Sequence, residues 1–218
     1  MDWDFIVSRA PLFWAAAKLT VKLAVGGILL AAALGFLCAV ARFYRIPVFN
    51  QIAYFYIELA RNTPLMVQLF FLYFGLPRLG LVWEGQTCAI VGLTFLGGAY
   101  MAEAFRGGLA AINRNQVESA LSIGLSRIQT LRYVIAPQAL AVAWPAISAT
   151  VIFLMKETSV FSIVALPDLM YVAKDLLKEG HSGETNLLLI LSYLTIILPV
   201  SLFFGRMERR LRFAGFGS

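Results

Sequence analysis

Leu23-Ala-Val-Gly-Gly-Ile-Leu-Leu-Ala-Ala-Ala-Leu-Gly-Phe-Leu-Cys-Ala-Val-Ala41 carries no charge and lies between Lys22 and Arg42. A helix must bring about 20 apolar residues to cross a bilayer, because every backbone polar group has to be satisfied internally in hydrocarbon. Four further uncharged runs follow the same rule. They are Asn62–Pro77 between two arginines, Gly85–Ala102 between two glutamates, Tyr133–Met155 between Arg132 and Lys156, and Thr185–Gly205 between Glu184 and Arg206. The second run has 16 residues and is the shortest; it either borrows Ile52–Ala60 or starts at Pro64 inside the membrane boundary. The expectation is an all-α integral membrane protein with five transmembrane helices. The spans fall at about 20–42, 55–77, 85–106, 133–156 and 185–206, in one domain over 1–218.

Composition points the same way. Of the 218 residues, 60% are hydrophobic and 14% charged, against about 25% charged in ordinary soluble domains. A net charge of +6 raises nucleic acid as a partner, but its distribution serves membrane orientation instead. With the C-terminus inside, 11 of the 18 basic residues lie inside, and these are all arginines: Arg42, Arg45, Arg61, Arg106, Arg114, Arg127, Arg132, Arg206, Arg209, Arg210 and Arg212. The acids Glu84, Glu157, Asp168, Asp175, Glu179 and Glu184 then lie outside with Asp2 and Asp4. This arrangement satisfies the positive-inside rule. It places the N-terminus outside and a polar loop at about 107–136 in the cytoplasm. Cys38 and Cys88 both fall in apolar runs, which argues for two small buried hydrophobes rather than a disulfide or metal site. The start Met1-Asp-Trp-Asp lacks the basic region of a cleavable signal peptide, so the first span is expected to stay. Pro167–Lys178, with Leu169, Val172, Ala173, Leu176 and Leu177 at helical spacing, reads as a short helix lying on the outer surface. His181, the single histidine, falls in a turn signal and reads as a solvated loop residue.

The polar loop contains Glu118-Ser-Ala-Leu-Ser-Ile-Gly124 and then Val134-Ile-Ala-Pro137. The spacing resembles the cytoplasmic coupling loop of ATP-binding-cassette (ABC) import permeases: Glu-Ala-Ala, three residues, Gly, nine residues, Ile, any residue, Leu, Pro. Glu118, Ala120, Gly124 and Pro137 match; Ser119, Val134 and Ala136 are small or apolar replacements. Four other segments, in the right order, resemble the polar amino acid permeases of these importers. They are Leu59-Ala-Arg-Asn-Thr-Pro-Leu-Met-Val-Gln68, Ala99-Tyr-Met-Ala-Glu-Ala-Phe-Arg-Gly-Gly108, Pro137-Gln-Ala-Leu140 and Lys156-Glu-Thr-Ser159. The resemblance, to the histidine/glutamine/glutamate type, covers nearly the whole chain. It implies a type I importer permease fold and a second permease, identical or related. It further implies two cytoplasmic ATPases, an external solute-binding protein, and uptake of a polar amino acid across a bacterial inner membrane.

The residues agree with it independently. No phosphate loop of the form Gly-x-x-x-x-Gly-Lys-[Ser/Thr] occurs, so the chain itself is expected to bind no ATP or Mg and energy must come from a partner. Gly124 would let the loop break into two short helices. Val117, Ala120, Leu121 and Leu125 would seat in a partner's groove, with Glu118 and Arg127 fixing the register. An ordinary interfacial helix joining two spans is the plainer reading of the same residues.

Ionisable residues deep in a span are expensive and point to function by default. Glu103 is three residues from Arg106 and can pair with it on one helix face, or serve a gate. Lys156 and Glu157 are adjacent, so they point about 100° apart and cannot simply neutralise each other. If Pro137 opens a straight fourth span, Lys156 sits about 28 Å along it and snorkels at the outer interface. If that helix is broken or tilted, Lys156 meets a substrate carboxylate and Glu157 an ammonium, with Thr158 and Ser159 as hydrogen-bond donors. A zwitterion needs such a two-signed site. Arg61-Asn-Thr-Pro64 reads as a helix start with Asn62 or Thr63 as cap, and Thr63 and Gln68 are further pathway candidates. The 17 Phe and 8 Tyr read as lipid-facing bulk and interfacial belts.

Three classes compete. A membrane enzyme is disfavoured by a single histidine and the lack of a nucleophile motif. An ion-coupled secondary transporter would often show an internal repeat, and needs no ATPase-docking loop. The permease subunit of an ABC importer for a polar amino acid, or for another small amino-acid-like solute, fits the whole pattern.

Overall fold

The computed structural model describes residues 2–215, with side chains through Leu211. Every described element is helical. In chain order they are α1 (Trp3–Phe43), α2 (Phe49–Arg61), α3 (Leu65–Phe70), α4 (Gly85–Ala110), α5 (Arg114–Ser122), α6 (Arg127–Thr130), α7 (Ala136–Glu157), α8 (Leu169–Leu176) and α9 (Ser182–Gly215). The side chain of Arg212, counted above with the inner arginines, lies outside the described ones.

Four helical stretches are long and apolar enough to cross a membrane: Trp3–Phe43, Gly85–Ala110, Arg127–Val164 and Ser182–Leu211. The first exceeds its expected span. At 41 residues it runs about 60 Å, twice the hydrocarbon thickness. Its first half is the seat for α8 and α9: Phe5, Phe13, Ala16 and Ala17 pack with Leu169, Ala173, Leu176 and Leu188. The third stretch also differs from expectation. It begins at Arg127, where Ser126 and Gln129 form a capping box, and not at Pro137. A wide π turn over Leu131–Ile135 carries the helix into α7. Such a turn accommodates a proline, which lacks the N–H of a regular helix.

The expected span at 55–77 is two pieces. α2 ends at Arg61 and α3 begins at Leu65, continuing through a π turn and a 3-10 turn to Leu79. Pro64 has no amide proton and disfavours helical backbone at Thr63, which is why the chain breaks there. The expected N-cap at Asn62 or Thr63 is not formed; Pro64 holds that place without a side-chain cap. Thr63 Oγ1 instead donates to Leu59 O, and Asn62 Nδ2 to Glu58 O, so both close the end of α2. The Gln68 amide spans the break, donating to Ala60 O and Thr63 O.

α1 and α4 form the most extensive interface. Gly35 makes it possible: a Cβ there would lie 2.5 Å from Met101 Cβ and 2.8 Å from Gly98 O. Close backbone approach through small residues is how helices associate where no solvent drives them together. The central core joins Leu23 and Ala31 of α1, Leu65 and Leu69 of α3, Leu93 and Leu96 of α4, and Leu154 of α7.

Candidate functional site

A cavity of about 400 Å³ opens where the α2–α3 break meets α4 and α7. Arg61, Asn62, Thr63 and Pro64 form one wall, Leu96 and Tyr100 a second, and Phe153, Glu157 and Val160 a third. Irregular backbone at membrane depth is tolerated where it lines such a cavity. The depth follows from α4: Tyr100 lies about 22 Å from its Gly85 end and about 15 Å from its Ala110 end. The cavity therefore lies part-way along α4 and is open to one side, with Arg61 and Asn62 among its exposed lining residues.

Arg61 and Glu157 bring opposite charges to this cavity. The Arg61 guanidinium lies 5.4 Å from the centre of the Tyr100 ring, and Tyr100 in turn packs on Phe153 at 5.1 Å. Among the described residues neither Arg61 nor Glu157 forms an ion pair with another side chain. The orientation count set Arg61 inside and Glu157 outside; both line one cavity part-way along α4. Arg61 is the last residue of α2, just before the Asn62–Pro64 break, and lines the cavity while staying exposed.

The expected zwitterion site is thus assembled differently. Glu157 lines the cavity, but Lys156 is exposed and is not on its wall. Thr158 is fully buried and its hydroxyl donates to Met155 O. Ser159 is half-buried and also off the wall. Gln68 faces a separate apolar groove with Val67, Phe71 and Phe95. Glu103 lies elsewhere too, near one end of α4. Its Oε2 accepts from Arg106 Nη2 at 2.7 Å, as its spacing predicted. Its Oε1 accepts from Arg42 Nη1 at 2.6 Å, a partner 61 residues away that no local pattern reveals. Arg42 also lies over the Tyr54 ring, so one carboxylate joins α1, α2 and α4.

The polar loop forms a second candidate site. α5 and α6 meet at Gly124, whose φ is +89°, a conformation that only glycine adopts without strain. The expected break is present, but only the first helix is short, since the second runs on to Val164. Asn113 caps α5. Glu118 pairs with Arg114 at 3.0 Å, not with Arg127. Ala120 is buried, and Val117 and Leu125 are half-buried, so they hold the hairpin together. Ser119 is exposed. The outward apolar residues are Leu121, Ile123 and Ile128, the last two 80% and 78% exposed. Ile123 precedes Gly124 in the turn, and Ile128 lies in the first turn of α6 just beyond it. His181 is also not free in a loop: its ring stacks on Phe5 at 4.2 Å.

Residues 31–213 match the family model described as "Binding-protein-dependent transport system inner membrane component". The chain is 34% identical to the glutamine transport system permease protein GlnP of Escherichia coli strain K12, over 97% of this chain and 98% of that one. It is 34% identical to the probable amino-acid permease protein YxeN of Bacillus subtilis, over 92% of each. Among solved structures, an amino acid ABC transporter crystallised with histidines superposes with a TM-score of 0.87 at 30% identity, covering 96% of this chain and 99% of that one. The MetNI methionine ABC transporter superposes at 0.72 with 19% identity, covering 97% and 99%, a likeness of fold.

Proposed function

Because the chain belongs to the family of binding-protein-dependent transport system inner membrane components, we propose that it is the permease that carries a polar amino acid through the membrane, and that Arg61 and Glu157 receive the two ends of the zwitterion. The observation that carries this reading is one cavity lined by both charges, with the packed rings of Tyr100 and Phe153 also on its walls. Arg61 presents donors to a carboxylate, and Glu157 presents acceptors to an ammonium. Tyr100 holds the guanidinium in place by cation–π contact.

In this reading the chain makes five crossings. α2 and α3 together form one interrupted pass. The N-terminus lies outside and the α5–α6 corner in the cytoplasm. Ile123, Ile128 and Leu121 enter a groove of an ATPase subunit, and Gly124 keeps the corner sharp while Glu118, Ser119, Ala120, Arg127 and Pro137 shape its two arms. ATP and Mg are handled by that partner. A second permease, identical or related, completes the pathway, and an external solute-binding protein delivers the amino acid.

The test is reconstitution in liposomes with a cognate ATPase subunit and solute-binding protein. Labelled amino acids are screened, and uptake and substrate-stimulated hydrolysis are measured together. Uptake of a polar amino acid, lost on removing ATP, is the expected result. Coupled uptake of a non-zwitterionic solute instead, insensitive to Glu157→Gln, would refute the assignment.

A further inference from the structure

Asp168 is a carboxylate with no exposed surface. Its Oδ1 accepts the Tyr171 amide and caps α8, while Oδ2, equally buried, has no hydrogen-bond partner. A buried carboxylate is normally paired or fully hydrogen-bonded, since burying an uncompensated charge is costly. Neither condition is met here. Lys174, on α8 itself, is the cation whose field reaches it, but its ammonium is bound to Ser162 Oγ. From α9 comes the Tyr193 hydroxyl, also shielded, which lies against Thr158. From α1 comes Thr20, whose hydroxyl donates to Ala16 O and receives the Leu169 amide. The other charges of this end are engaged or turned out: Arg9 with Glu179, Asp175 with Lys178, Glu184 with the Asp2 amide, Lys18 over Trp14, and Lys22 exposed.

We infer that Asp168 is a proton-binding site that latches α8 onto α1 and α9: protonated, the carboxyl stays in its seat, and ionised, it loosens the Pro167–Leu169 turn toward water. The proton comes from the solvent outside the membrane and returns to it. Burial pushes the Asp168 carboxyl up to about 6, with the caps of α8 and Lys174 acting in the opposite sense. The packed state binds the proton more tightly than the loosened one. Its added stability is therefore complete below about 4, the ordinary aspartate value, and is lost as pH rises through about 6. The 3-10 turn Thr158–Val164, which carries Val160 on the cavity wall, ends four residues before Asp168. The latch thus adjoins the cavity, though its protonation does not depend on what the cavity carries.

Hydrogen exchange of the Leu169–Ala173 amides, in the full chain held in nanodiscs with its co-purifying subunits, tests this directly. After correction for intrinsic exchange, protection in the wild type should fall about tenfold between about pH 5 and about pH 7.5. Asp168→Asn keeps the cap and removes the charge, and should hold protection constant over that range. The infrared band of a protonated carboxyl should persist in the wild type at about pH 5.5 and disappear in the variant. Flat wild-type protection overturns the inference, and so does a pH dependence that survives Asp168→Asn. Should the variant fail to assemble, wild-type exchange and the wild-type infrared titration decide it: an ionised carboxyl at about pH 5 overturns the latch.

Discussion

Glu157 and Lys156 are neighbours in sequence and opposites in environment. Glu157 is half-buried on a cavity wall, and Lys156 is exposed and off it. The consequence is a sharp contrast between two conservative substitutions. Glu157→Gln and Arg61→Gln should each cut uptake tenfold or more, because removing one partner of a desolvated charge pair costs about 2–5 kcal/mol. Lys156→Gln should leave uptake near wild type, as an exposed lysine that snorkels makes no specific contact. Liposome uptake and substrate-stimulated hydrolysis, with the binding protein's affinity verified unchanged, check all three. Equal losses at Lys156 and Glu157 would return the carboxylate-binding role to the lysine.

The helix elements fail in different ways when their glycines are filled. Gly35 lies where α1 and α4 touch backbone to side chain. Gly35→Leu should separate these helices and abolish accumulation of folded chain, seen as loss of the monodisperse peak in detergent. Gly124 has open space around it and a positive φ. Gly124→Trp should leave insertion and yield intact but misdirect the α5–α6 corner, so that transport stops. Normal transport with an intact ATPase would remove the corner from the coupling role. Ile123→Asp and Ile128→Asp test the same surface without backbone strain. Each should reduce co-purification of the ATPase several-fold, because a charge placed in the apolar centre of an interface is poorly tolerated.

At the scale of the molecule, the proposed topology sets Ser182 outside and Asn115 in the cytoplasm. Cysteine placed at Ser182 should react with an impermeant reagent added outside, and cysteine at Asn115 should react only after the membrane is opened. The reverse pattern would invert the map of binding protein and ATPase together. Arg61 makes a contact that charge counting does not show. The positive-inside rule treats an arginine at the edge of an apolar run as a loop anchor, and here Arg61, at the end of α2, also lies over the Tyr100 ring.

Membrane class was readable from Leu23–Ala41 and the runs like it, because hydrocarbon imposes a length and a composition that any short window can display. The break at Gly124 was readable as well, since Gly124 and its neighbours lie within one local segment. The Glu103–Arg106 pair was legible for the same reason: three residues on a helix are one face. The partners that matter most lie far apart in the chain. Arg42 reaches Glu103 across 61 residues, Arg61 meets Tyr100 and shares a cavity with Glu157, and Asp168 is enclosed by α1 and α9. The apolar spacing after Asp168 marks it as a helix cap, but no spacing says that its second oxygen would be sealed from water. Charge, periodicity and turn chemistry are properties of short windows, and so the sequence settled the elements and the class. Depth, burial and pairing across helices depend on how the broken α2–α3 segment, α4 and α7 come together, and only the tertiary structure decided those.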